Sequence, residues 1–275
     1  MITLCKMGAL LPLWLLHAIG WGLGWLLMLC STGYRRRFVD HAILAGLNPR
    51  QWLNAVAESG KLAAELPRVW MGRPVHVEWQ GVEALESALA TQRGLVFLTP
   101  HLGCFEVAPR AFVQRFGHQH VLRVMYRPPR QAWLHRLVQA ARQKDGLQMV
   151  PTTLAGVRQM LRALKNGESV GLLPDQVPPY GMGVMAPFFG RDAYTMTLSV
   201  RLVQQTGAAI WLAWAQRLSW GRGYQVHVQA LDVPLPDDVQ EAVTVVNRAM
   251  EALIKQCPQQ YLWCYARYKQ PRRAD

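Results

Sequence analysis

His101 and Glu106 are the pair in this chain best suited to moving a proton. They follow a short apolar run, Leu95-Val96-Phe97-Leu98, bounded by Gly94 and Pro100, which reads as a buried strand. Phe105 to Phe116 has the apolar spacing of a helix, so the histidine falls at the carboxyl end of the strand, where open α/β sheets place their ligands. Positions five apart on a straight helix diverge by about 140°. For the two side chains to meet, His101 must lie in the turn before the helix, a placement that Pro100 and Gly103 favour. A carboxylate against the imidazole would hold its tautomer and raise its basicity toward a hydroxyl. By itself such a pair arises often by chance.

The rest of the chain supplies the frame. Ser169 to Leu173 is a second apolar run that ends in Pro174-Asp175-Gln176, the same order of strand, proline and polar residue. Two such ends bring His101 and Asp175 to one edge of one sheet. Further strands read at Trp70–Trp79, His120–Tyr126, Gln148–Val150, Ala208–Ala215 and Tyr224–Leu231. Helices read at Arg35–Leu66 with a break at Asn48-Pro49, and at Gly81–Ala90, Thr153–Leu164, Thr195–Thr206 and Val239–Gln256. The alternation gives an α/β fold: a mixed central sheet flanked by helices, preceded by an N-terminal membrane-anchoring helix. Pro178 to Phe189 reads as an apolar loop, unusual for a connection and suited to a ligand pocket or a membrane-facing lip. The aromatic and basic tail from Tyr261 to Lys269 reads as an interface segment.

Met7 to Cys30 carries no formal charge, and as a helix it would extend roughly 36 Å, enough to cross a hydrocarbon core of about 30 Å. Arg35, Arg36 and Arg37 follow it, against Lys6 alone ahead of it, so the body of the protein is expected on the cytoplasmic side. The run is long for a signal peptide and lacks an A-x-A cleavage site. Residues 1–33 are therefore read as an anchor, spanning or embedded, and residues 34–275 as the functional domain.

A formal net charge of +13 over 275 residues points to an anionic partner: nucleic acid, an acidic membrane or an acidic carrier protein. A nucleic-acid binder would explain the charge but not the anchor, and no finger, homeodomain or RNA-recognition signature is present. The five cysteines show no CxxC spacing and read as reduced thiols, without a disulfide framework or zinc site. His118-Gln119-His120 has a possible metal spacing but no carboxylate nearby, so no metal and no cofactor are expected. There is no G-x-S-x-G elbow for a serine hydrolase.

Taken together, the anchor, Pro100-His101 with Glu106 as an HxxxxE pair, Tyr126-Arg127-Pro128, Arg142, Pro174-Asp175-Gln176, Pro187-Phe188-Phe189-Gly190 and Pro258 to Lys269 resemble the late lipid A acyltransferases. These are the lauroyl and myristoyl transferases within the wider glycerolipid acyltransferase group. The resemblance covers nearly the whole chain, and it is the order and spacing of the motifs that make it specific. It implies transfer of a fatty acyl chain from acyl carrier protein, or from coenzyme A, to a hydroxyl of a membrane glycolipid at the bacterial inner membrane. His101 and Glu106 match the family's catalytic pair, and Arg142 and Asp175 match its other required polar residues. The family's usual His-Phe-Gly-Asn-Trp-Glu stands here as His-Leu-Gly-Cys-Phe-Glu, which puts the acceptor in question: a lysophospholipid, aminolipid or other glycolipid is the alternative, and a non-enzymatic basic scaffold at the membrane a more distant one.

On this reading His101 takes the proton of the acceptor hydroxyl and Glu106 orients the ring. Backbone N–H groups near Gly103 or the guanidinium of Arg142 face the oxyanion, with Asp175 fixing that arginine. Arg127, Arg130, Gln176, Phe188 and Phe189 are the candidate substrate contacts, and Arg136 and Arg35–Arg37 further cationic ones. No acyl-enzyme is required, although Cys104 lies close enough to His101 for a nucleophilic role to be tested.

Overall fold

The computed structural model describes residues 2–126, Gln131, Val138 and residues 145–271, with side chains from Cys5 onward. Arg127, Arg130, Arg136 and Arg142, all expected to serve the site, lie outside the described residues.

Four helices come first: α1 (Ile2–Leu10), α2 (Leu13–Cys30), α3 (Thr32–Leu44) and α4 (Pro49–Met71). The break expected at Asn48-Pro49 is a helix start. Asn48 Oδ1 accepts from the Gln51 N–H at 2.9 Å, Gln51 Oε1 accepts from the Asn48 N–H at 3.0 Å, and Pro49 occupies the first turn, where no N–H is needed. Helix α4 then runs on to Met71, so Trp70 lies in its last turn and the strand expected from Trp70 begins only at Val77.

The sheet and its covering helices follow in order: β1 (Val77–Gln80), α5 (Val82–Ala90), β2 (Leu95–Leu98), α6 (Val107–Phe116), β3 (Leu122–Tyr126), β4 (Leu147–Pro151), α7 (Leu154–Lys165), β5 (Ser169–Leu172), β6 (Gly183–Phe188), β7 (Arg191–Met196), α8 (Leu198–Thr206), β8 (Ala209–Arg217), β9 (Tyr224–Ala230) and α9 (Val239–Gln256). The spatial order is β1-β9-β8-β2-β5-β3-β4. Strands β8, β2, β5, β3 and β4 are parallel; β9 is antiparallel to β8, and β1 parallel to β9. The expected mixed α/β sheet is therefore present.

The centre of the sheet is buried on both faces, which is why β2 and β5 read as unbroken apolar runs. Val96, Leu98, Val170 and Leu172 share one core with residues of α7, α8 and α9, whereas Leu95 and Phe97 belong to a second core with α5 and α6. After β2 the chain passes to the α6 face, and after β5 it passes toward α8 and α9. Adjacent strands whose continuations leave to opposite faces open a crevice at their carboxyl ends.

Residues 183–196 correct the expected apolar loop. Gly183–Phe188 and Arg191–Met196 pair as an antiparallel hairpin, turned by Phe189 and Gly190 at φ 49° and 74°. Its sequence looks irregular because Pro187 and two glycines interrupt the alternation. It packs on α9, where Asn247 Nδ2 donates to the Pro187 carbonyl at 2.9 Å and the Phe189 N–H donates to Glu251 Oε1 at 2.7 Å.

Candidate active site

The register of β2 against β5 sets the site. Leu98 lies opposite Leu172, and His101 and Asp175 each stand three residues beyond that pair. The two strand ends therefore deliver a histidine and an aspartate to one point. Asp175 Oδ2 accepts the His101 backbone N–H at 2.8 Å, and its Oδ1 lies 2.8 Å from His101 Nδ1. Burial of Asp175 pushes its carboxyl up, but the imidazole beside it and these two hydrogen bonds outweigh that and hold it below the usual aspartate range.

An ionised Asp175 accepts, so Nδ1 carries the proton and Nε2 presents a lone pair. Gln176 Nε2 lies 3.0 Å from that nitrogen and donates to it. The amide thus marks where a substrate hydroxyl would sit. The other edge of the ring meets Phe105, with centroids 4.7 Å apart in an edge-on arrangement.

Glu106 is buried at the start of α6 and accepts from the Trp70 indole N–H at 3.1 Å. Both ring nitrogens of His101 are engaged by Asp175 and Gln176, so the carboxylate on the imidazole is that of Asp175. The five-residue spacing that makes Glu106 conspicuous in the sequence places it instead on the wall beside the histidine.

Gly103 is required by the backbone. Its φ is +61°, and a Cβ there would fall 1.9 Å from the Ala215 carbonyl oxygen. The N–H groups expected to face an oxyanion are already committed: that of Gly103 donates to the Gln260 carbonyl at 3.0 Å and that of Cys104 to the Ala215 carbonyl at 2.9 Å. Cys104 is fully buried, and burial followed by the charge of Glu65 pushes its thiol well above the ordinary range. It is a core thiol with no access to the thiolate form at neutral pH.

The C-terminal tail completes the turn, a part missed by reading it as an interface segment. Tyr261 bridges Leu102, the Leu262 N–H donates to the His101 carbonyl at 3.1 Å, and the Val177 N–H donates to the Tyr265 hydroxyl at 2.9 Å. Tyr261, Trp263 and Arg267 are buried. Alternation of aromatic with small or basic residues was the available signal, but in a chain this rich in tryptophan it reads equally as membrane contact. Phe188 and Phe189 are buried too, Phe188 under the Arg267 guanidinium and Phe189 against Trp263, so the structure places both in the core behind the tail.

A narrow apolar cleft runs between the sheet and α6. Thr99, Phe105 and Glu106 bring it next to His101, while Phe97, Phe112, Val124, Gly171, Ala213 and Val226 continue it across β2, β3, β5, β8 and β9. Its lining is almost wholly apolar apart from Thr99, Glu106 and Arg110, a surface suited to a hydrocarbon chain. Among the described residues no three His, Cys, Asp or Glu gather as metal ligands.

The geometry is that of a half-buried histidine held by a buried aspartate beside an apolar cleft. Residues 56–270 match the family model for bacterial lipid A biosynthesis acyltransferases, and the chain belongs to that family. It is 27% identical over 191 residues to the lipid A biosynthesis lauroyltransferase of Escherichia coli K12, an alignment covering 69% of this chain and 60% of that protein. It is 26% identical over 193 residues to the palmitoleoyltransferase of the same organism, again across 60% of that protein. With a lipid A biosynthesis acyltransferase of Haemophilus influenzae the identity is 26% over 275 residues, covering 94% of this chain and 86% of the relative. The chain thus spans less than two thirds of the two Escherichia coli proteins.

Proposed function

We propose that this protein is an O-acyltransferase that moves a fatty acyl chain from the thioester of acyl carrier protein to a hydroxyl of a lipid A precursor. The observation that carries the proposal is the His101–Asp175 pair at the end of an apolar slot, in a chain of this family. The acceptor hydroxyl takes the place of the Gln176 amide and gives its proton to His101 Nε2 as its oxygen attacks the thioester carbonyl. Asp175 keeps the ring in the Nδ1–H form and balances the imidazolium. Collapse of the tetrahedral intermediate breaks the C–S bond, and the departing sulfur takes the proton back from His101. The acyl chain lies in the cleft, with Glu106 held on its wall by Trp70. Such general-base help is worth about 10²–10⁴-fold in rate.

Helix α2 supports a location at the bacterial inner membrane, because it is the described helix long and apolar enough to meet a bilayer core. Arg35, Arg36 and Arg37 stand exposed just after it, which favours a catalytic domain on the cytoplasmic face. The purified chain, given acyl carrier protein and coenzyme A thioesters in parallel with a lipid A precursor or a lysophospholipid, tests donor and acceptor together. Transfer to the lysophospholipid alone would replace the proposed acceptor, and transfer to neither would remove the enzymatic reading.

A further inference from the structure

A helix of this length invites the reading that it crosses the bilayer, but its inner face argues otherwise. Helix α4 accompanies α2 along its length in the opposite direction. A Cβ on Gly20 would lie 2.5 Å from Lys61 Cα, one on Gly24 2.2 Å from the Val56 carbonyl oxygen, and one on Gly60 2.4 Å from the Gly24 nitrogen. The glycines that suit a membrane helix by composition serve here to let two backbones touch. At that contact α4 carries charge. His17 Nε2 lies 3.0 Å from Glu65, which also receives Arg217 Nε at 2.7 Å and the Tyr224 hydroxyl at 2.9 Å, while Glu58 binds Lys61 and Arg217. Were α2 to span, Glu58, Lys61 and Glu65 would be carried to bilayer depth or the interlocked backbones would part, and either is costly.

The outer face is the opposite in character. Trp14, Trp21, Leu23, Leu26, Leu27 and Leu29 are exposed along one helix. A second element stands at its amino end: the turn at Ser219–Gly221 abuts α2, where a Cβ on Gly221 would lie 2.3 Å from the Trp14 nitrogen, and Trp220 projects from it 89% exposed with Arg222 beside it. A tryptophan next to an arginine suits the boundary between acyl chains and anionic headgroups.

We infer that α2 lies in one leaflet as a one-sided, non-spanning anchor on an anionic bilayer, with Trp220 as a second point of contact. This rests on the membrane location proposed above and specifies its geometry. Both ends of α2 then stay on the cytoplasmic side, and two native cysteines report on it, Cys5 ahead of α2 and Cys30 at its end.

Full-length protein retaining Cys5 but with Cys30→Ser and Cys264→Ser, expressed in bacterial spheroplasts, is treated with a membrane-impermeant maleimide. The expected result is no labelling from outside, labelling once the membrane is opened, and protein in the membrane fraction. Labelling of Cys5 in sealed spheroplasts shows a spanning helix and overturns the inference while leaving the membrane location intact. Recovery in the soluble fraction overturns both. In a second arm, Trp220→Cys in a chain with Cys5, Cys30 and Cys264 replaced by Ser carries an environment-sensitive dye. A blue shift on adding phosphatidylglycerol and phosphatidylethanolamine vesicles is expected, and an unchanged emission removes Trp220 from the contact surface.

Discussion

Asp175 grips His101 with both carboxylate oxygens, one on the backbone N–H and one on ring Nδ1, each at 2.8 Å. The backbone bond fixes where the residue sits, and the ring bond fixes which nitrogen is free. Asp175→Asn can keep the first contact and cannot supply the charge for the second. The expected outcome is a fall in kcat of about 10²–10⁴-fold with little change in KM. His101→Ala is expected to lose at least as much, and the double variant no more than the worse single one, because the two act as a unit. Steady-state transfer from an acyl thioester, with circular dichroism to check the fold, decides this. A full-rate Asp175→Asn would return the orienting role to Glu106.

Cys104 offers a contrast. Its thiol is buried and held in the protonated form, so Cys104→Ala should retain activity within a few-fold and lose on the order of 1 kcal/mol of stability. Detection of an acyl group on Cys104 by mass spectrometry during turnover would contradict this.

At Gly103 the constraint is geometric. Any side chain meets the Ala215 carbonyl and a left-handed φ, so Gly103→Ala is expected to cost about 2 kcal/mol or more and to lower activity by displacing the turn that bears His101. Urea denaturation of the variant beside wild type measures the first effect. Unchanged stability would mean the turn relaxes freely.

The cleft yields a specificity test. A Cβ on Gly171 would meet Val124 at 3.4 Å and Leu122 at 3.9 Å, ordinary contacts, so Gly171→Ala should fold while narrowing the slot. One methyl in an apolar site is worth about 1–3 kcal/mol of discrimination. The kcat/KM for the longest accepted acyl chain should therefore fall about 10-fold or more while shorter chains are spared. Equal losses at every chain length would place the acyl group elsewhere.

The buried network around Glu65 makes stability depend on acid. Burial pushes this carboxyl up, but Arg217 and His17 more than compensate and bring it down to about 2. A group depressed in the folded state stabilises above its unfolded pKa, near 4.3, and that stability is lost as pH falls toward the folded value. The urea midpoint of wild type should thus drop between about pH 4.5 and 2. Glu65→Gln should be less stable at neutral pH by about 3–5 kcal/mol, since Arg217 loses a buried partner, and should show a flatter acid limb. Parallel acid limbs would mean that Glu65 is not the titrating group.

The elements that position His101 were legible because buried parallel strands are apolar throughout and end in proline, a pattern that β2 and β5 share. The meeting of His101 with Asp175 follows from those two ends. The partner of the imidazole was harder to read, because Glu106 is near in sequence whereas Asp175 is near only through the β2–β5 register. The hairpin at Gly183–Met196 escaped notice because its pairing is stabilised by α9, distant along the chain. The tail escaped for a similar reason: aromatic residues look alike whether they face lipid or a core, and only the contacts of Tyr261 and Leu262 with the His101 turn distinguish them.

That tail has a consequence for biosynthesis. Gln260 ties the Arg217 backbone by two side-chain hydrogen bonds and receives the Gly103 N–H on its carbonyl, so the turn that bears His101 is clasped by a segment that follows every strand of the sheet along the chain. The sheet can form while the chain is still emerging, but the turn that bears the base stays unfastened until residues 260–262 arrive. A nascent chain stalled before Gln260 would hold every strand of the sheet and still leave the His101 turn unclasped, so the proposed acyl transfer waits on residues 260–262 rather than on the sheet.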